Sequence, residues 1–347
     1  MPSPIPVTRL LPRGFGLDLG TLSSPLSRRA GASSSLRVPT ATHGKLAQRL
    51  WSSAVQWREL HELEPIGCGG FGMVFKGTYF GETVAVKRVR RARNTLASRQ
   101  SFWAELNAAH LRHDNLVRVI AATTMMPTTT IKTATACART GDKNQEEDDQ
   151  GRVGTIVMEF AGDVSLQQVI YGAGPLPPEL CVRYASDVVC ALRHLHAHGV
   201  AHLDLKPANV LVSRAGVCKL ADFGCSLQLG RDHAACALEI GGTYTHRAPE
   251  LLRGERVTAR ADVYSFGVTL WQLLTRDVPY RGERQCVIYA VVAYGLRPQL
   301  DRDVFHRSSA GRACAELVSC CWSAEPNLRP SAEQLHSDLQ QISLLVF

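Results

Sequence analysis

The sequence predicts an α+β fold in two lobes: a small lobe made of a five-stranded antiparallel sheet and one helix, and a larger, mainly helical lobe. Three observations predict it. Short β-rich runs crowd residues 59–160, helical spacing dominates after Phe160, and a set of chemistry-bearing motifs straddles that change. A chain of 347 residues can bury a sizeable core in two lobes. Its 45% hydrophobic and 20% charged residues are ordinary for a globular protein.

Residues 1–57 mix Pro, Ser, Gly and Arg without periodicity and read as a disordered basic tail. Ser3-Pro4 and Ser24-Pro25 could accept phosphate from proline-directed kinases, though a Ser-Pro in plain coil is the simpler reading. A folded domain over 58–345 follows, with the sheet lobe at 58–160 and the helical lobe at 161–345. Within the first, 59–66, 73–79 and 83–89 read as strands, with a tight turn at Gly81-Glu82. Residues 98–111 have helical spacing, with Ser98 as N-cap. Residues 116–122 and 155–160 read as two more strands. Between them 123–152 is Thr-rich and then acidic (Glu146, Glu147, Asp148, Asp149), which predicts a mobile insertion. In the second lobe, 178–199 is apolar at helical spacing through Leu180, Tyr184, Val188, Ala191, Leu192 and Leu195, and 262–275, 287–293, 312–321 and 332–344 predict four further helices.

The formal charge of +8 looks like a nucleic-acid signal, but +7 of it sits in residues 1–58, leaving +1 for the rest. That distribution argues against nucleic acid as a partner. No run of eighteen apolar residues predicts a membrane span. The tail has the Arg- and Ser-rich, acid-poor composition of a transit peptide, but six prolines up to Pro39 would interrupt its helix. Eleven cysteines are scattered without a C-x-x-C pair, as expected of reduced, mostly buried thiols. The expectation is a cytoplasmic protein, and a monomer, because nothing reads as a coiled coil.

The motifs point to phosphoryl transfer. Gly67-Cys68-Gly69-Gly70-Phe71-Gly72-Met73-Val74 is G-x-G-x-x-G-x-V, whose glycines let backbone amides approach phosphate oxygens. The same spacing opens dinucleotide folds, but there a helix follows, and here a strand does. Val84-Ala85-Val86-Lys87 sets a lysine on the next strand to hold α and β phosphates. A buried lysine needs an anionic partner, and Glu105 is the one glutamate from residue 88 through 120. In His202-Leu203-Asp204-Leu205-Lys206-Pro207-Ala208-Asn209, Asp204 would orient or accept the proton of a substrate hydroxyl, Lys206 would neutralise the moving phosphoryl group, and Asn209 would ligate a metal. Asp222, opening Asp222-Phe223-Gly224 eighteen residues after Asp204, would bridge β and γ phosphates through Mg²⁺. A lone Asp-Phe-Gly is usually a turn; its order and spacing after the loop weigh against that. Glu250, closing Ala248-Pro249-Glu250, is expected to pair with Arg329. Asp262 would brace the catalytic-loop backbone, act as a helix N-cap, or do both.

On these residues the chain resembles eukaryotic protein kinases from about residue 60 to 343. Met1-Pro2-Ser3-Pro4, 96–107 (Leu-Ala-Ser-Arg-Gln-Ser-Phe-Trp-Ala-Glu-Leu-Asn), 202–209, 241–250 (Gly-Gly-Thr-Tyr-Thr-His-Arg-Ala-Pro-Glu) and 289–294 (Tyr-Ala-Val-Val-Ala-Tyr) narrow the resemblance to one vertebrate serine/threonine subfamily. The resemblance implies ATP with Mg²⁺. Ile66, Gly67, Cys68, Gly69, Gly70, Phe71 and Gly72 would line the nucleotide, Val74, Ala85 and Leu211 would wall the purine, Met158 would be the gatekeeper, and Glu159 to Ala161 the hinge. It further implies that the substrate is a MAP kinase kinase and that the setting is the oocyte held at meiotic metaphase II.

Lys206, two residues after Asp204, follows the serine/threonine pattern, and Thr243 fits the threonine that bonds near Asp204 and Lys206. A binding scaffold without turnover would lose Lys87, Asp204, Asn209 or Asp222, and all four are present. A tyrosine or small-molecule kinase fits Lys206 and 243–250 poorly. Two departures stand out. Leu203 replaces the arginine that usually meets an activation-segment phosphate, which predicts activity without that modification. His246-Arg247 replaces the usual pair before Ala248, which alters the substrate groove. Cys68 and Cys225 could face nucleotide, but thiolate character needs a local positive charge, and the unreactive reading is the better one.

Overall fold

Period-two burial builds the first lobe. In the computed structural model, which describes residues 55, 57–69, 72–90, 95–124, 152–230 and 242–346, β1 (Leu60–Gly69), β2 (Gly72–Tyr79) and β3 (Glu82–Arg90) pair antiparallel. The chain returns as α1 (Thr95–Asn107), β4 (Val119–Thr123) and β5 (Arg152–Glu159), giving the antiparallel order β1-β2-β3-β5-β4. Alternate β3 residues face opposite ways. Val84 and Val86 join Leu60, Phe75, Tyr79, Ile120 and Val157 under Val55 and Trp57. Ala85 and Val89 join Ile156 and Met158 under Phe102 and Leu106 of α1. Lys87 shares the second parity and so faces α1.

Three details differ from the sequence expectation. The β2–β3 turn is Phe80-Gly81, not Gly81-Glu82: both have positive φ (51° and 83°), the geometry that matches strand twist, and Glu82 already pairs with Tyr79. The helix begins at Thr95, so Ser98 is a buried residue inside it and not its cap. Leu116 lies outside β4, in an isolated parallel bridge to Leu220 of the second lobe, beside a bond from Val117 N–H to the Leu220 carbonyl (2.9 Å). The expected tail over 1–57, except Val55 and Trp57, and the expected insertion over 123–152, except its ends, lie outside the described residues, as do Gly70 and Phe71.

The second lobe holds β6 (Val164–Ser165), α2 (Leu166–Tyr171), α3 (Pro178–Ala197), β7 (Val200–Ala201), β8 (Val210–Val212), β9 (Cys218–Leu220) and β10 (Leu227–Gln228). After them come α4 (Pro249–Leu252), α5 (Arg260–Thr275), α6 (Arg284–Ala293), α7 (Asp303–His306), α8 (Ser309–Cys321) and α9 (Ala332–Val346). The apolar stripe on α3 (Val188, Leu192, Leu195) and the α9 residues Leu335 and Leu339 close on α5, which is buried from Ala261 through Leu273. Glu250 and Arg329 meet there as expected, in a bidentate pair (2.6 and 2.7 Å) with both side chains almost fully buried. No helix among the described residues is long and apolar enough to cross a membrane.

Candidate active site

The loop over 202–209 is held from beneath. Two short strands, β7 and β8, fix its ends, and Asp262 of α5 fixes its backbone: Oδ2 accepts from His202 N–H (2.8 Å) and Oδ1 from Leu203 N–H (2.7 Å). His196 Nε2 lies 2.8 Å from the same Oδ2. Burial would raise the Asp262 pKa, but the His196 contact and the loop amides outweigh it and hold the group below the usual carboxylate range. Asp262 therefore braces the loop and does not cap the helix, whose N-cap is Ala259. Leu203 takes a left-handed φ of 66°, uncommon for a bulky residue and costly unless the surroundings enforce it.

Asp204 emerges from that loop with both oxygens engaged. Oδ2 accepts from Lys206 Nζ (2.9 Å) and Asn209 Nδ2 (2.9 Å), and Oδ1 accepts from Thr243 N–H (2.8 Å). Lys206 also donates to the Thr243 hydroxyl at 2.5 Å. Asn209 spends its amide nitrogen on the Asp204 side chain and backbone carbonyl, which leaves its amide oxygen for another partner.

Lys87 draws the two lobes onto this loop. Its ammonium donates to Glu105 Oε2 of α1 (2.6 Å) and to Asp222 Oδ1 (2.7 Å). Burial opposes the lysine charge, but the two carboxylates more than offset it and raise the pKa. Asp222 is shifted the other way: burial would raise it, and Lys87 holds it below the usual range. Asp222 sits at φ 64°, ψ 73°, which turns the chain so that Phe223 stacks edge-on against His202, centroids 5.1 Å apart. The five charged groups expected from the motifs thus fall into two bonded sets, Lys87 with Glu105 and Asp222, and Lys206 with Asp204.

Above them lies an apolar slot. Ala85, Met158 and Ala161 form one buried cluster with Val74 and Leu211 packed against it. Ile66, Gly67 and Cys68 are exposed on β1 at its rim, and Gly69 ends the strand opposite Gly72. Glu159 closes β5: its N–H donates to the Arg118 carbonyl (2.9 Å), and its carboxylate accepts from Arg118 N–H (2.9 Å) and Lys219 Nζ (3.0 Å). Nothing in the sequence pattern signals that clamp. Nor does it signal the link from Lys76 of β2 to Asp163 (3.3 Å), with Lys76 over the Phe160 ring. Both are long-range contacts of exposed or half-buried groups and leave no periodic trace.

Cys225 is buried, and burial and the neighbouring Asp204 and Asp222 charges push its thiol up to about 12, the unreactive state. His246 is buried, 2.5 Å from Gln272 Oε1, and its carbonyl accepts from Ser265 Oγ (2.7 Å). Among the described residues no cluster of three or more His, Cys, Asp or Glu side chains can hold a metal alone. Asp222 and the free Asn209 oxygen nevertheless form the hard, two-oxygen set suited to Mg²⁺ that is completed by phosphate and water.

The protein kinase domain family matches residues 60–339. Among curated proteins the chain is similar to the serine/threonine-protein kinase mos of Xenopus laevis, with 49% identity over 98% of this chain and 93% of the relative. It is 45% identical to the protein of that name from Gallus gallus, over 99% of each chain. It is 44% identical to the proto-oncogene serine/threonine-protein kinase mos of Sus scrofa, again over 99% of each.

Proposed function

From the family to which it belongs, the protein kinases and within them the Mos serine/threonine kinases, we propose that the chain uses ATP and Mg²⁺ to phosphorylate and activate a MAP kinase kinase, as a cytoplasmic monomer acting in oocyte meiotic arrest. The observation that carries the chemistry is Lys87 held between Glu105 and Asp222 at 2.6 and 2.7 Å, beside an Asp204 already oriented by Lys206, Asn209 and Thr243. Family and kinase class support the substrate and the setting.

In this reading the purine enters the slot of Ala85, Val74, Leu211, Met158 and Ala161, and Glu159 to Ala161 present backbone to its edge. Lys87 holds the α and β phosphates, with Glu105 keeping it charged and in place. Asp222 and Asn209 would hold Mg²⁺, which when bound neutralises phosphate charge as a Lewis acid. Asp204 orients the substrate hydroxyl and takes its proton as the oxygen attacks the γ-phosphorus; the bond from that phosphorus to the β–γ bridging oxygen breaks and ADP leaves, while Lys206 faces the charge that builds on the transferred group. Positioning and charge neutralisation do most of the work.

The test is transfer of labelled phosphate from ATP to a kinase-dead MAP kinase kinase, followed by phosphoamino-acid analysis. Phosphoserine or phosphothreonine is expected, with Lys87→Met and Asp222→Asn folded but at least ~10³-fold slower. Phosphotyrosine, or equal rates in wild type and both variants, would overturn the assignment.

We also propose that activity needs no arginine-paired phosphate on the activation segment. Leu203 offers no charge, Thr243 and Thr245 already hydrogen-bond to Lys206 and His246, and Tyr244 lies under Arg284. Phosphatase treatment should leave activity intact; loss of activity traced to a phosphate within 225–247 would refute this.

A further inference from the structure

A chain of hydrogen bonds crosses the second lobe from its surface to the turn beside Asp204, and phosphoryl transfer makes no direct use of it. Its outer end is Tyr171, the last residue of α2, which is 43% exposed. The Tyr171 hydroxyl donates to the Asp277 carbonyl (3.3 Å) and accepts from Gln272 Nε2 of α5 (2.7 Å). Gln272 Oε1 lies 2.5 Å from His246 Nε2, and His246 Nδ1 lies 3.0 Å from the Thr245 hydroxyl oxygen. Gln272 and His246 are both buried.

One end of this chain dictates the other. A carbonyl oxygen only accepts, so the Tyr171 hydrogen is spent on Asp277 and the Tyr171 oxygen accepts from the Gln272 amide nitrogen. That orients the amide, with its nitrogen toward Tyr171 and its oxygen toward His246. The amide oxygen also only accepts, so the imidazole hydrogen sits on Nε2. Burial keeps the ring neutral, its pKa held down at about 4, so Nδ1 carries a lone pair and takes the Thr245 hydrogen. The Asp277 carbonyl thus sets the donor state of Thr245 through four hydrogen bonds.

The inner end bears on the reacting groups. His246 N–H donates to the Thr243 carbonyl (3.1 Å), and the His246 carbonyl is fixed by Ser265 Oγ (2.7 Å). Thr243 in turn donates its N–H to Asp204 Oδ1 (2.8 Å) and meets Lys206 Nζ with its hydroxyl (2.5 Å). A shift of the imidazole therefore moves Thr243, and through it the carboxylate that must face the acceptor hydroxyl. Small misplacements there are costly, because transfer depends on alignment.

We propose that Tyr171, Gln272 and His246 form a positioning relay that sets the 243–246 turn against Asp204, so that a surface hydroxyl on α2 tunes phosphoryl transfer. All three act through Thr243 and Asp204. The proposal rests on the serine/threonine kinase assignment and deepens it, and it needs no particular protein substrate.

Tyr171→Phe and Thr245→Val test it, since each removes one hydroxyl from one end of the relay. The full-length kinase is assayed with two acceptors, kinase-dead MAP kinase kinase and casein, and kcat is expressed per titrated nucleotide site so that unfolded protein does not count. Each variant should lower kcat about fivefold, the worth of one lost hydrogen bond, with KM for ATP unchanged. The two residues are not bonded to each other, so independent effects would multiply to about twenty-five-fold in the double variant. The relay predicts instead a double variant about as slow as either single one. A spectroscopic readout stands beside the kinetics: imidazole ¹⁵N shifts, assigned by the signal lost in His246→Gln, should place the His246 hydrogen on Nε2. A hydrogen on Nδ1, wild-type kcat in Tyr171→Phe, or effects that multiply would overturn the proposal. Activity on casein without MAP kinase kinase would sink only the substrate named above. Activity on neither would sink the kinase assignment, while the tautomer would still decide whether the relay exists.

Discussion

His246 carries a stability cost that a neutral side chain in its place would avoid. Burial pulls its pKa down from the usual 6.5 to about 4, Gln272 opposes that pull, and Lys206 adds to it. The folded protein therefore refuses a proton that the unfolded chain accepts. Stability is complete above about pH 6.5 and is lost as pH falls from there toward 4. At ~1.4 kcal/mol per pH unit, the loss reaches about 2 kcal/mol near pH 5. His246→Gln keeps a polar partner for Gln272 without the titration. Urea unfolding of both proteins at about pH 7 and pH 5 should show wild type losing about 2 kcal/mol more than the variant over that interval. Parallel pH profiles would mean that the imidazole titrates normally. Cys225 makes a second residue-scale case. Its thiol is pushed up to about 12, so iodoacetamide at neutral pH should modify the exposed Cys68 and leave Cys225 unlabelled with or without ATP. Labelling of Cys225 that ATP blocks would restore the reactive reading.

Elements show why a motif read for one reason can be required for another. Gly72 reads in sequence as a place where backbone nears phosphate. The structure adds a local cause: a Cβ there would lie 1.9 Å from the Arg88 carbonyl of β3, at a φ of 155°. Gly72→Ala should therefore push the phosphate loop off β3 and raise KM for ATP by about tenfold or more, with a smaller change in kcat once ATP saturates. An unchanged KM would show that the hairpin absorbs the methyl freely. Long elements were legible because burial repeats along them: α3 and α9 by their apolar stripes, β2 by the alternation of Phe75 and Tyr79. Short ones were not, since two to six residues hold too few periods. Even so, α2 had a readable signal. Ser165 and Gln168 form a capping box, with Ser165 Oγ accepting from Gln168 N–H and Gln168 Oε1 accepting from Ser165 N–H. The displaced turn at Phe80-Gly81 had none, because a phenylalanine at positive φ runs against every local preference.

At the scale of the molecule, the site joins positions 87, 105, 204, 209 and 222 from both lobes, and sequence order sufficed to foresee those partners because the chemistry restricts them. What tethers the lobes was not foreseen: the Leu116 bridge to Leu220, and Lys76 reaching Asp163. The Glu250–Arg329 pair was foreseen, and its burial makes it the sharpest global test. Arg329 is 2% exposed and also donates to the Ser323 and Arg260 carbonyls. Arg329→Met would leave Glu250, 1% exposed, as an unpaired buried charge. The expected loss is about 3–5 kcal/mol, because desolvation is no longer offset by a partner. Glu250→Leu added to Arg329→Met removes the orphaned charge, so the double variant should be more stable than the single one, though below wild type, since the two carbonyls still lack their donor. Denaturant midpoints at constant slope read the order directly. A double variant less stable than Arg329→Met would show that the glutamate finds another partner, and that the helical lobe is held at this point by packing alone.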